Sequence, residues 1–232
     1  FDAARFGAAD YDDEESVGGV RTWLGRASWY FFGILFVAVI YFLYPQPLTG
    51  LHLQIGEPRG LVLIAGVGLA VLGIGYAVAY AWWRYGDFQP PSGNLYPQGI
   101  LSSFATAFID EATWRGVLLG LLLFSNWPPE LAIGFQAVLY ALATRLGAPG
   151  RPRAMLLVSL AIGLLGGWLT VATGGIGATL LAHAVTRFAI FVATGHAGQV
   201  TPSAAFHEDV AEADSRVTPA GWEVVGGRGG SS

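Results

Sequence analysis

Apolar residues in this chain gather into runs of helical length, with little of the two-residue alternation of half-buried strands. Six such runs occupy residues 28–44, 60–83, 100–124, 129–145, 154–174 and 176–194. Crossing a hydrocarbon core about 30 Å thick takes about 20 mostly apolar residues in a helix. The pattern therefore predicts an all-α, polytopic membrane helical bundle of about six transmembrane helices. In the first and shortest run, Trp29, Tyr41 and Tyr44 stand where interfacial anchors belong. The fifth and sixth runs are joined by Thr173-Gly-Gly-Ile-Gly177, a link so short that it predicts an antiparallel hairpin.

Arginines between the runs set an orientation. With the N-terminus in the cytoplasm, Arg21, Arg26, Arg84, Arg145, Arg151 and Arg153 all fall inside, and Arg59 falls outside. This asymmetry predicts cytoplasmic N- and C-termini. Gly66, Gly68, Gly73 and Gly75 in the second run, and Gly163, Gly166 and Gly167 in the fifth, read as sites of close helix packing. None forms a phosphate-binding loop, because no strand precedes them and no Gly-Lys-Ser/Thr follows.

The flanks are different material. Residues 1–27 form an acidic N-terminal tail expected in the cytoplasm, with Asp10, Asp12, Asp13, Glu14 and Glu15. The first 17 residues offer no apolar stretch of signal-peptide type. Residues 195–232 are polar and Gly-rich. Alone, both flanks read as disordered. The expectation is that a larger assembly holds them, around a transmembrane domain of residues 28–194.

Composition sharpens the class. Hydrophobic residues make up 53% and charged residues 12%, against roughly 25% charged in soluble domains. The net charge of −4 argues against nucleic-acid binding. Cysteine is absent, so neither a disulfide nor a thiolate metal site is available. No second His or Cys stands at ligand spacing either, and neither a metal nor another cofactor is expected.

Charge inside the apolar runs is then the informative exception. Asp110, Glu111 and Arg115 lie in the middle of the third run. A charge near a bilayer centre is unfavourable by roughly 2.5–3.5 kcal/mol on insertion scales, so such groups are normally paired and functional. Glu111 and Arg115 are at i and i+4, within ion-pairing reach on one helix face. His183 and Arg187 have the same spacing in the sixth run. If these helices face each other, two carboxylates and two guanidinium groups form a neutral network, which is compatible with a purely structural role. For His183 three readings stand open: a hydrogen bond to a neighbouring helix, a catalytic or oxyanion role, and axial ligation of a haem or chlorophyll-type metal. The last would make the chain a pigment- or cofactor-binding subunit through His183.

Three short motifs follow in order: Asp110-Glu111-Ala-Thr-Trp-Arg115 with Gly116 after it, Tyr140-Ala-Leu-Ala-Thr144, and His183-Ala-Val-Thr-Arg187 behind its Gly-Gly-Ile-Gly turn. Over roughly residues 95–195 this arrangement resembles the CPBP family of CAAX-type intramembrane endopeptidases and bacteriocin-processing and immunity proteins. That family carries Glu-Glu-x-x-x-Arg, Phe-x-x-x-His and His-x-x-x-Asn/Asp on successive helices. The resemblance implies a water-activating first carboxylate, an assisting second-motif His, and an oxyanion site at the third motif. Those roles map to Asp110, Thr144, His183 and Arg187, with Glu111 and Arg115 completing the first motif.

Three of these positions depart from the pattern. Asp110 is one methylene shorter than Glu, withdrawing its carboxylate by about 1.5 Å. A misplacement near 1 Å can already lower a rate by about 10²-fold. Thr144 replaces an imidazole with a hydroxyl that is no base near neutral pH, and losing acid–base help typically lowers rates about 10²–10⁴-fold. The other register, Phe135 with Leu139, offers no histidine either. Arg187 has two readings: its guanidinium could donate to an oxyanion, and its permanent charge would pin Asp110 or Glu111 as an ion pair. The leading expectation is thus a catalytically inactive relative, a scaffold or accessory subunit whose partners are other membrane proteins and lipid, in a prokaryotic inner membrane. The alternatives are an active endopeptidase with Glu111 or Asp110 as base, and the pigment-binding subunit.

Overall fold

A computed structural model describes residues 19–85, 87–88, 90–91, 93–146 and 153–194. The expectations for the acidic N-terminal stretch up to residue 18, for the loop carrying Arg151 and for the C-terminal flank lie outside the described residues.

Six long helical segments carry the described chain. They are α1 (Gly19–Leu43), α3 (Arg59–Tyr85), a composite third segment, α6 (Pro129–Leu146), α7 (Arg153–Thr173) and α8 (Gly177–Thr194). A one-turn helix α2 (Pro47–Gly50) sits between the first two. The third segment runs through α4 (Tyr96–Glu111), a π-helical stretch Ala112–Leu118, and α5 (Leu119–Phe124). Five of the expected runs match within a few residues. The first helix instead begins at Gly19, because the moderately polar stretch before residue 28 continues its helical backbone. Arg59–Trp82, Leu156–Thr173 and Gly177–Thr194 are each long and apolar enough to cross a membrane. The protein is an integral membrane protein built as a helical bundle.

Its interior is made of small side chains and its exterior of large apolar ones. Ala77, Ala81, Ala107, Ala112, Ala137 and Ala178 are buried, while Phe32, Ile64, Leu72, Leu101 and Trp168 are exposed. In lipid no water drives large apolar groups inward, so close backbone approach and dispersion hold helices together. Gly66 faces the backbone of Ala178, Gly73 faces Thr186, and Gly163 faces the Ala137 backbone. Gly68 and Gly75 meet nothing within 4 Å, which corrects their reading as packing sites: they lie on the open face of α3.

The α7–α8 link is tight, as its glycines predict, yet the two helices share little contact. α8 packs mainly on α3 and α4, and α7 on α6. The turn is held from outside by residues 52–57. Ile176 N–H donates to the His52 and Gln54 carbonyls at 3.1 and 3.0 Å, Gly177 N–H to Ile55 at 3.2 Å, and Glu57 N–H to the Thr173 carbonyl at 2.7 Å. Gln54 Nε2 donates to the Gly174 carbonyl at 2.9 Å. Gly175 and Gly177 are needed there, since a Cβ at either would run into the Gln54–Gly56 backbone or Ile55. The same segment presses on the third helical segment. A Cβ on Gly120 would stand 2.6 Å from the Gly50 carbonyl oxygen, and one on Gly116 would stand 2.6 Å from Leu53 Cδ2.

Candidate functional site

The π-helical stretch is the meeting point of the bundle: Ala112–Leu118 touches α1, α6 and α7. A π turn adds a residue to the helical repeat, and such turns recur at functional sites. Here it follows directly on Glu111 and contains Arg115. Arg115 and Gly116 are both buried, although they are adjacent and point different ways. Arg115 turns inward beside Gly166 of α7, where a Cβ would stand 3.2 Å from Arg115 Nε. Its guanidinium carbon lies 4.1 Å from the Tyr140 ring centroid, a cation–π contact. Trp114 meets the same ring edge-on at 6.0 Å.

Glu111 is the hub of the charged cluster. One oxygen, Oε1, accepts from Arg115 Nη1 at 3.0 Å and lies 2.9 Å from His183 Nδ1. An ionised carboxylate only accepts, so the imidazole Nδ1–H donates in this second bond. The other ring nitrogen, Nε2, faces Asp110 Oδ2 at 3.9 Å, beyond hydrogen-bonding distance. Glu111 and Arg115 side chains are 2% and 1% exposed. Asp110 and His183 remain reachable, at 23% and 17%. Arg187 lies one turn on from His183 in α8.

The third and sixth helical runs do face each other, and Asp110, Glu111, Arg115 and His183 belong to one cluster. Thr144 takes a separate course. Its hydroxyl donates to the Tyr140 carbonyl at 2.8 Å, one turn back on its own helix. Axial ligation of a large metal-bearing ring by His183 would use Nε2, the nitrogen that the Asp110 carboxylate faces.

Sequence reasoning did not single out Tyr140 as a site residue, nor Gln136 and Gly166. Tyr140 carries a usable signal, an aromatic four residues before Thr144. Gly166 reads only as packing until the partner across the interface is seen to be a guanidinium.

No curated protein and no solved structure matches the chain. Residues 91–189 match the family model described as type II CAAX prenyl endopeptidase Rce1-like. That span holds the π turn and every member of the charged cluster. Residues 91–189, with Asp110, Glu111 and Arg115 on one helix and His183 bonded to Glu111 from another, are thus similar to the Rce1-like, CAAX-protease-type domain of the CPBP family.

Proposed function

We propose that this protein is a catalytically inactive CPBP relative that serves as a scaffold or accessory subunit of a larger complex in a prokaryotic inner membrane, with both termini in the cytoplasm. The observation that carries this reading is what stands at the second motif, where a threonine hydroxyl replaces the imidazole and losing acid–base help typically lowers rates about 10²–10⁴-fold. The Thr144 hydroxyl, at the place where the family has its second imidazole, is occupied by its own helix backbone. The Glu111–Arg115–His183 set then acts as a brace between helices rather than as acid and base.

Mass spectrometry of material extracted gently from native membranes tests the subunit role. Stoichiometric membrane-protein companions are expected, and a monodisperse monomer would count against it. In parallel, peptide hydrolysis by the purified chain is compared with that of Glu111→Gln, and both are expected to be inert.

A second reading, an active intramembrane endopeptidase, draws on the exposure of Asp110 and His183 beside the sealed Glu111–Arg115 pair. Asp110 is the less enclosed of the two carboxylates, which makes it the base in this reading. Cleavage by the wild type that disappears in Asp110→Asn would establish it.

A further inference from the structure

On the side of Arg115 away from Glu111, three helices bring together polar atoms that have no hydrogen-bond partner among the described residues. These are Arg115 Nε, both amide atoms of Gln136 and the Thr170 hydroxyl, and all three residues are fully buried. α7 shows why they belong to one place. Gly166 is the point where α7 approaches Arg115 Nε, and Gly167 is where it approaches Gln136 Oε1, 3.0 Å from the position of a Cβ. These two directions differ by about 100° around the helix, and Thr170 projects about 40° from Gly166, between them. Helical side chains lean toward the N-terminus, so the Thr170 side chain leans back over the two glycines.

Thr170 is also exceptional in what it does not do. Thr144, Thr173, Thr186 and Thr194 each donate to the carbonyl one turn back, and Thr179 donates to Ile176. Thr170 has Gly166 in the equivalent position and does not use it.

We propose that Arg115 Nε, the Gln136 amide and the Thr170 hydroxyl line a closed hydration site that binds one or a few water molecules between the π turn, α6 and α7. Water fits the chemistry. A buried water takes two to four polar partners and both donates and accepts. Here it accepts from Arg115 Nε–H, exchanges bonds with the two-way Gln136 amide, and bonds the Thr170 hydroxyl. An anion suits the place poorly, because Glu111 already neutralises the guanidinium. The site hydrates the inner flank of an ion pair whose other flank is held by His183. It stands whether or not the cluster is catalytic.

The experiment is an experimental structure of the full chain in lipid at a resolution that shows ordered water, joined to a thermal-melting cycle on Gln136→Leu, Thr170→Val and the double variant. Density within hydrogen-bonding distance of Arg115 Nε and Gln136 is expected, absent or reduced in Thr170→Val. Each single variant is expected to lower the melting temperature by a few degrees, and the double by less than their sum. Direct bonding of Gln136 to Thr170 or Arg115 with no such density, or strictly additive melting shifts, would overturn the proposal. Thr170→Ser keeps the hydroxyl and should retain the density even if Gln136→Leu fails to fold.

Discussion

Arg115 Nη1 lies 3.0 Å from Glu111 Oε1, with both side chains sealed inside the bundle. Breaking one half of a buried pair leaves an uncompensated charge, which typically destabilises by about 3–5 kcal/mol, whereas replacing both halves with apolar groups is often neutral. Arg115→Leu should therefore be severely destabilising in reversible unfolding from mixed micelles. Glu111→Leu/Arg115→Leu should recover much of that loss, less the bond from His183. If the double variant were simply worse than Arg115→Leu, the two groups would not be acting as a pair.

The glycines divide into two groups with opposite expected outcomes. Gly120 has the Gly50 carbonyl and Leu51 Cα in the way of a side chain, and backbone cannot swing aside as a flexible side chain does. Gly120→Ala should destabilise by about 1–3 kcal/mol, the usual range for overpacking. Gly68 and Gly75 have open space around them, and alanine is the better helix former. Gly68→Ala and Gly75→Ala should fall between neutral and about 1 kcal/mol stabilising. Melting temperatures of the three variants, measured side by side, check the ordering.

This division marks what the sequence made legible. Local periodicity carries the long helices, and the i,i+4 spacing carries the Glu111–Arg115 bond, since both depend on residues a few positions apart. The pairing of residues 52–57 with 173–177 joins segments more than a hundred positions apart through backbone groups, which have no residue signature. The π turn was equally hidden: nothing in Ala-Thr-Trp-Arg-Gly-Val-Leu differs from an ordinary helix former apart from Gly116. Gly66, Gly68, Gly73 and Gly75 of α3 look alike in sequence, and only the position of α8 separates Gly66 and Gly73 from Gly68 and Gly75. Thr144 was visible as a lost imidazole, whereas its bond to Tyr140 was not.

The inactive reading makes a constructive prediction. If the scaffold is intact and only the motif groups are lost, Asp110→Glu, Thr144→His and Arg187→Asn together should restore peptide hydrolysis to a chain that otherwise shows none. Restoring an imidazole acid–base group is worth about 10²–10⁴-fold. Removing Arg187 takes a permanent charge out of the third motif. Turnover in the triple variant, and its loss when Glu at 110 is changed to Gln, would be the supporting result. An inert, well-folded triple variant would mean that the site differs in more than these three side chains.

His52 gives the fold a dependence on pH outside the membrane-spanning helices. It sits in the segment that ties down the α7–α8 turn, with its carbonyl accepting from Ile176 and its backbone at a φ of 50°. Burial of the ring holds its pKa below the usual 6.5, opposed in part by a hydrogen bond from the ring to the Gly174 backbone carbonyl. A histidine with a lowered folded pKa binds fewer protons folded than unfolded, so stability rises with pH through this window. Its contribution is fully present above the unfolded value and is lost as pH falls from about 6.5 toward the folded value. Acidification from about pH 7 to 5 should thus lower the melting temperature of the wild type more than that of His52→Asn, because Asn tolerates the positive φ and does not titrate. Hydrogen exchange at Ile176 and Gly177 should follow the same difference. Parallel melting curves for the two proteins across this range would show that the ring does not govern the attachment of the turn.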